Sequence, residues 1–131
     1  MKQKIIMEKY PVFELEIPFN ETKFKSVDAI MEYFKTNIEE HPIAKFIAIF
    51  DHYSHTKAIE ESVLNEDITD AKNIIFCFGK EFKTPEVLAI RPRSIGVTKM
   101  QDKFIITFLE APNDVVNETM ERWAKGLVSI S

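Results

Sequence analysis

Cysteine is nearly absent from this chain: Cys77 stands alone among 131 residues. One thiol cannot close an internal disulfide, so the fold must be held by its core, which suits a reducing compartment. Glycine is scarce too, with only Gly79, Gly96 and Gly126. Glycines that far apart cannot form the tight turns that cradle a nucleotide, which argues against a P-loop or a Rossmann fingerprint. Positive charge is not in excess. Lys and Arg number 17 against 21 Asp and Glu, a net charge of −4, with no long run of either sign. Nucleic-acid binding through a basic face is therefore not expected. No apolar run approaches the roughly 18 residues that a membrane-spanning helix needs. The start, MKQKIIMEKYP, carries a three-residue apolar patch, too short for the apolar core of a secretion signal. The expectation is a soluble, cytoplasmic protein with no membrane or nucleic-acid partner and no cofactor.

What is present points to one folded unit. The length suits a single domain over residues 1–131, large enough to bury roughly two thirds of its unfolded surface. A hydrophobic share of 45% and a charged share of 29% are ordinary for a globular protein. Eleven phenylalanines are many for this length. They imply a bulky aromatic core, or a core together with an apolar cleft or interface.

Hydrophobic periodicity divides the chain. Residues 1–10 read as a loosely ordered lead-in. Residues 12–17 alternate, with Phe13, Leu15 and Ile17 on one face and Glu14 and Glu16 on the other, which is a half-buried strand. Ser26 can cap a helix whose apolar stripe is Val27, Ile30, Met31, Phe34 and Ile38, closed by Pro42. The apolar run Phe46-Ile47-Ala48-Ile49-Phe50 is expected to be a central strand. Ser54 or Thr56 then caps a short helix with Ala58, Ile59 and Val63 as its contacts. Residues 73–79 form a second continuous apolar strand ended by Gly79. Thr84-Pro85 opens a brief helix that Pro92 limits. Residues 94–100 and 103–109 read as a hairpin. Asn113 caps a last helix with Val115, Val116, Met120, Trp123 and Leu127 at helical spacing. The expected fold is α/β (α+β): a two-layer sandwich, one mixed sheet of about five strands with two long amphipathic helices on one face.

The order of these features resembles the small bacterial "domain of unknown function three-zero-two" family. The resemblance rests on the strand ending in Asp51-His52, the apolar strand Ile74-Ile75-Phe76-Cys77-Phe78-Gly79, the Thr84-Pro85 helix that ends near Pro92, and two strands running to Pro112. Lys80-Glu81 departs from the Asn-Pro often found at that place in the family. The runs Arg91-Pro92-Arg93-Ser94-Ile95-Gly96 and Glu110-Ala111-Pro112 also suggest a narrower family of uncharacterised bacterial proteins. The first resemblance implies a compact α/β fold and a homodimer, and no mechanism.

Two clusters can carry chemistry. The first is Asp51-His52-Tyr53-Ser54-His55. His52 and His55, three apart, fall on one side of a helical turn, as a metal pair would need. Asp51 can orient an imidazole. A metal would still require donors such as His41, Cys77, Glu110 or Asp114, and no metal is expected. The plainer reading is a capped turn with solvated histidines, and His41 as a helix-terminal residue that answers the helix dipole. The second cluster is Arg91-Pro92-Arg93, where two guanidinium groups in extended chain can face one way and hold a carboxylate or phosphate. Lys99 and Lys103 add positive charge nearby, and structural salt bridges, to Glu110 or across a dimer, are the competing reading. The expected function is a small binding or accessory module whose pocket takes a small anionic ligand through Asp51, His52, His55, Arg91 and Arg93. The alternatives are an enzyme using His52 with Asp51, or Cys77 as nucleophile, and a structural dimerising protein without a site.

Overall fold

A computed structural model describes residues 1–129. Among them the chain runs β1 (Lys2–Ile6), β2 (Tyr10–Pro18), α1 (Val27–Glu40), β3 (Ala44–Phe50), α2 (His52–Lys57), β4 (Asp70–Phe78), β5 (Arg93–Lys99), β6 (Lys103–Leu109) and α3 (Asp114–Lys125). The six strands form one sheet in the order β1-β2-β6-β5-β4-β3, and each neighbouring pair is antiparallel. The expected mixed sheet of about five strands is thus corrected to an antiparallel sheet of six. No helix connects two strands that pair side by side and parallel; α1 instead carries the chain from β2 to the far edge.

The extra strand is β1, in the segment expected to be loose. All five of its residues are exposed, and it is held by pairing Lys2 to Ile6 with Glu14 to Tyr10. Its strand character comes from its partner, so no alternating pattern announces it. The second correction concerns β3, which lies at the sheet edge and not at its centre. A bulge explains the misleading run of apolar residues. Phe46 and Ala48 oppose the consecutive residues Phe76 and Ile75, which leaves Ile47 as an extra residue, 52% exposed.

One face of the sheet makes the core. Phe13 and Ile17 on β2, Phe104, Ile106 and Phe108 on β6, Ile95 and Val97 on β5, and Ile74 and Phe76 on β4 are all buried there. The helices cover this face. Ser26 caps α1, its hydroxyl accepting the Ala29 amide at 3.0 Å. All five residues of the expected stripe, Val27, Ile30, Met31, Phe34 and Ile38, are buried. Burying side chains of this size contributes about 1.5–3 kcal/mol each. In α3 the stripe is shorter than expected. Met120, Trp123 and Leu127 are buried, but Val115 is 66% exposed. The Tyr33 hydroxyl donates to the Trp123 carbonyl at 2.7 Å and joins the two long helices. Gly126 permits this approach, since a Cβ there would collide with the Tyr33 hydroxyl.

Two short elements also differ from expectation. The helix after β3 begins at His52, one residue past its cap Asp51, and stops at Lys57. Ile59 and Val63 are exposed instead of packed. Asp51 wins the cap because its carboxylate reaches the Ser54 amide at 3.0 Å. The Thr84-Pro85 helix is a 3₁₀ turn over Pro85–Ala89. No helix among the described residues is long and apolar enough to cross a membrane.

Candidate anion site

The two clusters singled out in the sequence lie at opposite ends of the sheet. Arg93 opens β5 and pairs with Phe76, whereas Phe50, just before Asp51, pairs with Asn73. Three residues of strand separate those levels, roughly 10 Å. The shared pocket expected for Asp51, His52, His55, Arg91 and Arg93 is therefore corrected to two separate places.

At the first place, Asp51 is engaged locally. Its carboxylate accepts the Ser54 amide at 3.0 Å and the Ser54 hydroxyl at 2.9 Å, with Lys72 at 3.9 Å. These contacts, the Ser54 amide first, hold its carboxyl below the usual value. No hydrogen bond runs from Asp51 to either imidazole among the described residues. His52 meets the Thr56 hydroxyl at 3.4 Å, and both histidines pack on Phe50 with ring centroids 5.4 and 5.2 Å away. The described residues contain no group of three or more His, Cys, Asp or Glu that could hold a metal ion. Cys77 pairs with Lys45, four residues along β4 from Asn73, too far for a Cys77–His52 pair. It is half-buried.

At the second place the arginines do share a cavity, of about 310 Å³. It opens between the start of β5, the end of β4, the first turn of α3 and the segment after α1. Phe78, Ile43, Ile90, Ala111, Val115 and Val116 make its apolar wall. Arg91 is half-buried and donates through Nη1 to the Glu81 carbonyl at 2.6 Å. Arg93 is 8% exposed. Its Nη2 donates to the Leu109 carbonyl and its Nη1 makes a long contact of 3.5 Å with the Ile90 carbonyl. Its Nε is buried without a hydrogen-bond partner. No carboxylate forms an ion pair with Arg91 or Arg93 among the described residues, so the Glu110 salt bridge is not formed. Burial pushes the Arg93 guanidinium below its ordinary value; at neutral pH it remains charged. Lys99 and Lys103 lie at the far ends of β5 and the β5–β6 turn, where Lys103 pairs with Glu16 at 3.4 Å.

His41 joins this cavity, though its sequence position suggested only a helix end. Its Nδ1 accepts the Ile43 and Ala44 amides at 3.1 and 3.2 Å, which places the ring proton on Nε2. The ring stands edge-on to Phe78 and Trp123. Asn117 fixes the opposite wall. Its buried amide donates to the Ala111 carbonyl at 2.9 Å and accepts the Ala111 amide at 2.7 Å. Neither role was legible locally.

A second cavity, of about 460 Å³, lies around Gly96 on the sheet face opposite the buried stripe of α1. Two pairs of its polar groups satisfy one another, Lys4 with Glu14 at 2.9 Å and Asn73 with Ser94 at 2.9 Å, and Arg93 lines this cavity as well.

Residues 1–129 match the model of a family of unknown function (DUF6858), and the chain belongs to that family. The resemblance to the three-zero-two family is corrected accordingly. No curated protein and no solved structure matches the chain.

Proposed function

We propose that the chain is a small binding or accessory module that takes an anionic ligand in the Arg91–Arg93 cavity. One observation carries this reading: a guanidinium nine-tenths buried beside a cavity, with no carboxylate among the described residues to neutralise it. A charge removed from water without a counter-ion is costly, by several kcal/mol. A bound anion would supply the missing charge, and guanidinium is the side chain best shaped to receive one. Arg91 and Lys80 at the rim would draw an anion inward. Asp51, His52 and His55 have no part in this site.

The test is calorimetric titration of the purified chain with a panel of small anions: phosphate, sulfate, acetate and benzoate. Saturable binding of at least one, lost in Arg93→Met, is the expected result. A flat response across the whole panel would remove the reading.

A homodimer is part of the same proposal, and the apolar edge of β3 favours it. Ile47, Ile49 and Phe50 are exposed along a strand with no neighbour on its outer side. Unprotected edges of this kind template pairing with another chain. Native mass spectrometry should show a two-chain mass that Ile47→Lys reduces to one chain. A one-chain mass for the unmodified protein would exclude the dimer.

A further inference from the structure

We infer that the ligand of this cavity is a small monocarboxylate with a compact apolar body, aryl or branched alkyl; the inference rests on the anion site proposed above. Three observations on the cavity lead to this class.

The first is charge. Only Arg93 is deep. Arg91 is already anchored to the Glu81 carbonyl, and at the exposed rim the Glu81 carboxylate is paired with Lys83 at 3.3 Å, which leaves Lys80 as the remaining rim cation. One buried cation matches one buried anionic charge, and a dianion would leave one charge unpaired in a low-dielectric wall.

The second is the supply of other donors. Phosphate sites gather several free backbone amides, usually at a helix start or a glycine-rich turn. Here the first turn of α3 faces the cavity with its amides in use. The Val115 amide goes to the Asn113 side chain, and the Val116 and Asn117 amides go to the Asn113 carbonyl. A planar carboxylate needs only the guanidinium edge, whereas a phosphate would find few donors.

The third is the wall. Ile90 and Val115 are apolar, exposed, and border the cavity. Phe78 stands behind them, stacked on Trp123 with centroids 5.8 Å apart. An apolar ligand body would cover these side chains and remove their surface from water. A volume of 310 Å³ is at the low end for small-molecule pockets, which limits that body to a single ring or a short branched chain.

Trp123 is the one tryptophan of the chain and reports on the cavity through Phe78 and His41. The experiment titrates the full chain with four probes and follows Trp123 emission, with amide chemical shifts as a second readout. The probes are 3-phenylpropionate, its neutral analogue 3-phenylpropionamide, phenyl phosphate and inorganic phosphate. The expected result is saturable binding of 3-phenylpropionate alone. Arg93→Met should weaken it about a hundred-fold. Val115→Asp, at an exposed helix-start position that tolerates an acidic residue, should weaken it about ten-fold while leaving the fold intact.

Binding of either phosphate without 3-phenylpropionate would overturn the carboxylate class and leave the anion site standing. Equal binding of the amide and the acid would overturn both. If none of the four binds, the carboxylate class falls, and the separate anion panel decides the site.

Discussion

The two ends of the sheet treat their polar groups in opposite ways. At the Asp51 end, a carboxylate, two imidazoles and several hydroxyls are crowded together in sequence, and they satisfy one another. Asp51 holds Ser54, His52 meets Thr56, and both rings lean on Phe50. At the Arg93 end, the groups come from four distant stretches of chain and one of them is left unsatisfied. Among the described residues the Arg93 Nε has no partner and no carboxylate pairs with its charge. A dense cluster of reactive residue types is often a closed local turn, since short polar side chains readily bond their own backbone. A buried charge without a partner is the rarer condition and the better pointer to a ligand.

The largest test of this contrast is on binding. Arg93→Met should cost an anionic ligand about 2–4 kcal/mol, while His52→Ala with His55→Ala should leave its affinity unchanged, both read by calorimetry. The reverse pattern would exchange the roles of the two ends. Next comes the wall of the cavity. Asn117→Ala strips the Ala111 amide and carbonyl of their buried partner and should lower stability by about 2 kcal/mol, measured by urea denaturation. If stability is unchanged, the clamp is not what holds residues 110–112. Gly126→Ala should cost about 1–3 kcal/mol by forcing the Tyr33 hydroxyl away from Trp123. Adding Tyr33→Phe, which removes the colliding atom, should recover part of that loss.

The smaller effects belong to the Asp51 end. The Asp51 carboxyl is held below its ordinary value, so its contribution is present above that ordinary value, near pH 3.8, and is lost as pH falls through the lowered one. Protection of the Ser54 amide, its exchange rate taken relative to that of an unprotected amide at the same pH, should therefore fall in acid. Asp51→Asn keeps a cap and should flatten that pH dependence. An acid response that persists in Asp51→Asn would assign it to another group. His52→Ala and His55→Ala should leave the thermal midpoint where it is, since both side chains are exposed.

Local pattern was a sound guide wherever burial is one-sided. The α1 stripe was legible residue by residue, and so were the β2 alternation and the β5–β6 hairpin. It failed at the two sheet edges, for opposite reasons. β1 has no buried face, so no period marks it. The apolar run of β3 looked central because its bulge places apolar side chains on both faces and along the rim. At the candidate site, that Arg91 and Arg93 could share one place was legible because two guanidinium groups bracket a proline. His41 was not, because the sequence shows a lone histidine at a helix end and nothing of Phe78, Trp123 or the β3 amides that hold it.

The sequence by itself determined the two long helices and most strands, and the presence of an aromatic core, because those depend on spacing along the chain and on capping within a few residues. It also determined that the chain lacks a nucleotide-type glycine loop and an internal disulfide. Only the tertiary structure decided strand order, the edge position of β3 and the separation of the histidine and arginine clusters, because these depend on pairing between distant segments. The missing counter-ion of Arg93 belongs with them. Whether a charge is buried and unpartnered is a property of everything packed around it, and no neighbour in sequence records it.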